Sequence, residues 1–269
     1  MLLKRLVFFS GKGGVGKSTL SCAVALELSK REKTLLVSID PAHSLSGIFL
    51  VEVGDQIKKL KDQLFAIEIR AEALVENYAE KVLSTLTELL PTVRSGIKEY
   101  AKHIKHSPTA QETAILDKIL DYCEEFTYVV VDSAPTGQML RLFETLHMVS
   151  GWFNFLSQVA KERHRVERFM GREDNLPKLI EERKKKLQNL ANVLTERTTV
   201  FAVANEEPLS LQEAQDIHNK LKDIEVQLVI NRWHYMECDC IKIPEIEKPY
   251  GFEALERLSI KPILDYLLR

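Results

Sequence analysis

The chain has 269 residues, 45% of them hydrophobic and 28% charged, with a formal net charge of −2. That is enough for one substantial core with an appended module, and the near-neutral balance supplies no global field for nucleic acid. No run of about 18 apolar residues is present, which excludes a helical membrane span, and four cysteines do not make a disulfide framework in a chain this long.

Strand-like sequence begins at residue 5, so no signal peptide is expected and the chain reads as cytoplasmic. Arg5-Leu6-Val7-Phe8-Phe9 has strand character, and residues 20–28 read as a helix. Between them stands SGKGGVGKST, residues 10–19, which fits the Walker A pattern G-x-x-x-x-G-K-[ST] from Gly11 through Gly16, Lys17 and Ser18. Strand, glycine loop and helix are the context that confirms such a motif. Glycines let backbone N–H groups turn inward around a phosphate chain, and the helix N-terminus adds favourable partial charge there. Lys17 is expected to reach the β- and γ-phosphates of ATP, and Ser18 to ligate magnesium. Lys12, directly after the first glycine, has two readings. It is a solvated loop lysine, or the early lysine of a deviant Walker A that crosses a dimer interface to the partner's nucleotide.

Residues 33–39 predict a buried strand by their β-branched and leucine content. It ends at Asp40-Pro41-Ala42-His43-Ser44, and ligands of open parallel sheets bind at the carboxyl ends of strands. A carboxylate there can orient the water that attacks the γ-phosphate; Asp40 also suits a turn or a helix cap. Residues 64–69 are another strand. Val75, Tyr78, Ala79, Val82, Leu86, Leu89, Leu90 and Val93 then recur at helical spacing, followed by Ile97, Tyr100, Ala101 and Ile104, and by Leu116, Ile119 and Leu120. No strand is expected between about 70 and 126, which is longer than an ordinary crossover.

Tyr128-Val129-Val130-Val131 is a short strand closed by Asp132-Ser133-Ala134-Pro135-Thr136-Gly137. An acid at that place has the Walker B role of holding a magnesium-bound water, and Thr136-Gly137 can act as a switch. Arg141 pairs with a nearby acid or is a solvated helix charge. Trp152, Phe153, Phe155, Leu156 and Val159 either pack against the helices around 75–104 or line a client groove. The run 181–186 begins a charged helix with Leu187, Leu190 and Leu194 on its inner side.

Residues 199–204 and 226–230 are further strands, with a helix between them carrying Leu211, Ala214, Ile217 and Leu221. Asn231 closes the second strand, where its amide can pair with adenine or simply end the strand. Pro249 and Tyr250 lie in a turn before the helix 253–258, a loop able to close over the adenine ring. Cys238 and Cys240 form half a tetrahedral zinc site, which a symmetric dimer could complete, or are two unligated thiols. Cys22 and Cys123 read as small core residues.

Four motifs stand in order: GKGGVGKST, DPAHSLS, VVVDSAPTGQMLR, and VINR followed by CDC. Together they resemble the arsenite-pump ATPase and guided-entry targeting-factor family, deviant Walker ATPases that act as dimers. The resemblance implies an α/β fold: a doubly wound, mostly parallel sheet of the P-loop ATPase kind with a helical client-binding insertion. Residues 1–269 would be a single P-loop ATPase domain with helical insertions at about 72–120 and 145–195. The resemblance implies that Lys12 reaches the partner's site and that Gly13, Gly14, Val15, Gly16, Lys17, Ser18 and Thr19 bind phosphates. It further implies that Asp40 activates water, that Asp132 is the Walker B acid, that Asn231, Pro249 and Tyr250 contact adenine, and that Cys238 and Cys240 form an intersubunit zinc clasp.

The clasp here is C-x-C, not the family's usual C-x-x-C, and only one nucleotide loop exists, which favours the homodimeric targeting-factor type. The expected function is a magnesium-dependent ATPase, switched as a homodimer by ATP, that delivers hydrophobic transmembrane segments such as tail anchors to a membrane receptor. The alternatives are the ATPase of an arsenite or antimonite efflux pump, and an ATP-dependent chaperone without a membrane client.

Overall fold

The computed structural model describes residues 2–42, 44–70, 73–76, 80, 108–133, 136–144, 176–247 and 249–269. Fifteen elements carry the fold in chain order: β1 (Arg5–Ser10), α1 (Lys17–Ser29), β2 (Thr34–Ser38), α2 (Leu45–Phe49), β3 (Lys58–Lys61), β4 (Leu64–Glu68), α3 (Pro108–Glu125), β5 (Tyr128–Asp132), α4 (Leu176–Glu196), β6 (Thr198–Ala204), α5 (Pro208–Lys220), β7 (Glu225–Trp233), β8 (Ile241–Pro244), α6 (Phe252–Glu256) and α7 (Lys261–Leu267). Residues 136–144 are also helical. The strands form one eight-stranded sheet in the order β3-β4-β2-β5-β1-β6-β7-β8. Every pairing is parallel except β3 with β4. The fold is therefore the α/β, mostly parallel architecture expected from the sequence.

The central strands β1, β2, β5 and β6 are buried almost end to end, as parallel strands covered on both faces must be. Phe9 of β1 stacks on Phe201 of β6 with ring centroids 5.2 Å apart. α1 is buried nearly all round, from Leu20 to Ser29, because the sheet, α2, α6 and α7 all pack against it. Each fully buried Leu or Val along it contributes roughly 1.5–3 kcal/mol of burial. Cys22 and Cys123 are fully buried and free, and burial pushes the Cys123 thiol up to about 12 and Cys22 well above its ordinary value.

Two strands escaped the sequence reading, and both are edges. β3 (Lys58-Lys59-Leu60-Lys61) has too little apolar alternation to stand out, and its lysines suit an exposed edge. β8 is four residues long. β7 also runs past Asn231 to Trp233, with a register shift at Arg232, whose φ is +55°. Asn231 thus sits inside the strand at its kink and does not close it.

The chain divides into two compact units. One comprises Met1–Arg70, Ile119–Leu140 and Val193–Arg269 and carries the whole sheet; the other comprises Ala71–Lys118 and Arg141–Asn192. The described residues of the second unit are helical. There Val75, Ala110 and Ala114 form a small cluster with Leu74, and Arg141 Nε donates to the buried Glu112 Oε1 at 2.9 Å. The apolar stripe from Tyr78 to Ile104, the aromatic group at 152–159, and His43, Ala134, Pro135 and Lys248 lie outside the described residues, as does the side chain of Leu187.

Candidate functional site

β1 ends at Ser10, and the chain turns sharply into α1. Gly11 takes φ +147°, Gly14 +84° and Gly16 +93°. At Gly11 a Cβ would fall 2.1 Å from the Val203 carbonyl oxygen, so only glycine lets the loop pass β6. Gly16 serves as N-cap of α1, which has no side-chain cap and no acid in its first turn. Its first backbone N–H groups are therefore open to an anion. Lys17 is buried, and its Nζ donates to the Lys12 carbonyl at 3.3 Å, folding it back along the loop. Lys12 is half-buried, Gly13 and Gly14 are exposed, Val15 is buried, and Ser18 and Thr19 are half-buried.

Asp132, at the end of β5, is fully buried, and neither carboxylate oxygen has a hydrogen-bond partner. Burial pushes its carboxyl up to about 7; the Ser18 hydroxyl and the Lys17 ammonium favour the charged form, while the charges of Asp40 and Glu68 oppose it. The Ser10 and Ser38 hydroxyls are likewise buried without partners. An unpartnered buried acceptor costs about 1–3 kcal/mol and is tolerated where a ligand or ion will satisfy it. The donor set fits hydrated magnesium: one hydroxyl beside the phosphates and one carboxylate that can accept from a bound water. Among the described residues no group of three or more His, Cys, Asp or Glu side chains could hold a metal by itself.

Asp40 follows β2, the strand next to β5, and is half-exposed. The Ile39 N–H donates to the Asp132 carbonyl at 3.0 Å, which ties the two carboxylate-bearing segments together. Asp40 Oδ1 accepts from the Ala42 N–H at 2.9 Å, so its own turn orients it.

On the other side of the loop, Asn231 Nδ2 donates to the Val15 carbonyl at 2.8 Å and blocks any Cβ at Gly16, which would fall 2.3 Å away. The amide braces the loop. Tyr250 is exposed. The neighbouring Gly251 N–H donates to the Ile48 carbonyl at 2.7 Å, and Phe252 packs on Phe49 at 5.2 Å, so this turn is fastened to α2. Cys238 and Cys240, in the β7–β8 loop, bring their sulfurs together with Cα atoms 5.3 Å apart.

Three carboxylates missed at the sequence level organise these segments. Glu68 accepts from the Leu45 and Ser46 N–H groups and the Ser46 hydroxyl. Glu213, on α5, accepts from the Thr136 hydroxyl at 3.1 Å. Glu206 accepts from the N–H groups of His234, Tyr235 and Met236. Each is an ordinary acid in the sequence; only an acid ending an otherwise apolar strand, as at Glu68, offered a signal.

A family model described as anion-transporting ATPase matches residues 4–248. The chain belongs to the anion-transporting ATPase family. Accordingly it is a nucleotide-binding ATPase that hydrolyses ATP. It is 33% identical over 243 residues to a "Putative arsenical pump-driving ATPase 2" of Aquifex aeolicus, covering 85% of this chain and 80% of that one. It is 30% identical over 259 residues to an "ATPase ASNA1 homolog" of Dictyostelium discoideum, covering 87% and 74%. It is 29% identical over 262 residues to an "ATPase GET3" of Rhodotorula glutinis, covering 87% and 71%. Relatives named arsenical pump-driving ATPase and relatives named GET3 or ASNA1 homolog thus occur at similar identity.

Proposed function

We propose that this ATPase works as an ATP-switched homodimer that captures hydrophobic membrane-protein segments in the cytoplasm and delivers them to a membrane receptor. The observation that carries the reading is one of chain continuity. The sheet unit leaves for the helical unit twice, after Arg70 and after Leu140. The first exit follows β4, and the second falls within the helical segment at 136–144 that comes after β5. Movement of the segments after Asp40 and Asp132 on hydrolysis is therefore passed along the chain to the helices.

In this reading Lys17 and the loop N–H groups hold the β- and γ-phosphates, Ser18 and Asp132 hold magnesium, and Asp40 orients the attacking water. Magnesium, when bound, neutralises charge developing on the phosphates. Lys12 supplies a positive charge at the partner's nucleotide, and Asn231, Pro249 and Tyr250 flank adenine. Cys238 and Cys240 offer two sulfurs from each subunit, the number a shared Cys₄ zinc needs. Among the described residues no helix is long and apolar enough to cross a membrane, which suits a carrier that visits one.

The names of the relatives favour a second reading, an energiser of an arsenite or antimonite pump. Against a metalloid site within this chain stand its cysteines: of four, Cys22 and Cys123 are buried and held as thiols, leaving only the pair at 238 and 240. Co-expression of the Asp40→Asn protein with a tail-anchored membrane protein tests the choice. The tail-anchored protein should co-purify with ATP and be released by exchange into ADP. No co-purification, together with antimonite-stimulated turnover lost in a Cys238→Ser, Cys240→Ser variant, would favour the pump.

A further inference from the structure

We propose that Glu68 is a positioning residue for ATP hydrolysis, holding the segment that carries Asp40 through the first turn of α2. The inference rests on the reading of Asp40 given above. Five residues, 40–44, separate the end of β2 and Ile39 from α2. At one end the Ile39 N–H is bonded to the Asp132 carbonyl. At the other, α2 has Ser44 as N-cap with no side-chain cap bond. Its first turn is held instead by the buried Glu68. Leu45 N–H donates to Oε1 at 2.9 Å, Ser46 N–H to Oε1 at 3.4 Å, and the Ser46 hydroxyl to Oε2 at 3.2 Å. Ser46 Oγ in turn accepts from the Val53 N–H at 3.0 Å, tying the segment after α2 to the same group.

Two facts make this a positioning role and not only a cap. First, the N-cap residue Ser44 could cap a five-residue helix through its own hydroxyl but makes no such bond, and the first turn is held from another strand by a buried carboxylate, whose desolvation is offset only if its bonds are excellent. Second, the sheet register places Glu68 in one row with Ser38 and Asp132, all at the ends of parallel strands. The row spans two strand spacings, roughly 10 Å. The Asp40 segment is thus hung between two acids of one rigid row: its start on the Asp132 backbone, its end on the Glu68 side chain. A loop pinned at both ends holds its middle, and an error of about 1 Å at a reacting group costs about 100-fold in rate.

The test is the Glu68→Gln protein in steady-state and single-turnover ATP hydrolysis. Glutamine keeps the size and one acceptor oxygen but turns the Ser46 hydroxyl bond around. The expected result is a kcat lower by about 10- to 100-fold with the KM for ATP within about threefold and the apo unfolding midpoint retained. In the Glu68→Gln, Asp40→Asn double variant, turnover should equal that of Asp40→Asn alone, since Glu68 acts through Asp40. Ser46→Ala, which removes one of the three bonds to Glu68 and with it the bond from the Val53 N–H, should lower kcat by about threefold on the same reasoning and serves if Glu68→Gln does not fold. A normal kcat in Glu68→Gln or Ser46→Ala, or losses that multiply in the double variant, would overturn the inference. Normal turnover by Asp40→Asn alone would overturn the assignment of Asp40, and the Glu68 result would still be read from its own kcat.

Discussion

In the proposed reading the site has a phosphate side and a base side, and the two treat their polar atoms in opposite ways. On the phosphate side, Asp132 and the hydroxyls of Ser10 and Ser38 are buried without partners, and α1 begins without a side-chain cap. On the base side almost everything is fastened: Asn231 to the Val15 carbonyl, Gly251 to Ile48, and the His234–Met236 loop to Glu206. The difference teaches where ligand binding contributes most. Unsatisfied groups gain a full bond when phosphate and a metal-bound water arrive, while groups already bonded within the protein gain little.

Breaking the phosphate side should produce the largest effect. Asp132→Asn is expected to lower ATP turnover by about 100-fold or more and to raise the apo unfolding midpoint by about 2–4 °C, because an unpaired buried charge is removed. Calorimetry of the nucleotide-free protein, alongside a phosphate-release assay, reads both. A fall in the midpoint would mean that the carboxylate is satisfied without ligand.

Asn231→Ala sharpens the base side. Loss of one net hydrogen bond, about 1 kcal/mol, should weaken nucleotide binding by about fivefold. Binding of inorganic tripolyphosphate should weaken by the same factor if the amide acts by bracing Val15. A loss confined to ATP would assign it to adenine.

The smallest effect belongs to Glu206. Burial opposes its charged form, but the N–H groups of Met236, Tyr235 and His234 outweigh it and hold its carboxyl below the ordinary value. A depressed acid contributes stability above its unfolded value near 4.3, which is lost as pH falls through the lower folded value. Amide exchange at 234–236 should therefore quicken, relative to the adjoining strand β7, only on the acid side of that window. In Glu206→Gln it should quicken at neutral pH, with ATP turnover unchanged.

The difference between the two sides also separates what could be read from the chain. The central strands announce themselves by continuous apolar runs, and the phosphate loop by glycines whose positive φ values no other residue takes easily. Asp40 and Asp132 stand out because each is a lone acid closing such a run. Glu68 closes a run too, but the apolar Ile69 after it made it look like a strand residue. Glu206 and Glu213 carry no local signal, because their partners are 28 to 77 residues distant. The edges β3 and β8 were hidden for a different reason: an exposed edge is selected for charge and brevity, the opposite of a strand signature.

Hydrolysis and nucleotide binding by the Asp40→Asn protein, measured side by side, test the central claim most directly. The expected result is ATP affinity within a few-fold of the unaltered chain and turnover lower by 100-fold or more, the scale of a lost general base. Turnover close to that of the unaltered chain would contradict it, and with it the picture of a site whose chemistry is set between the ends of β2 and β5.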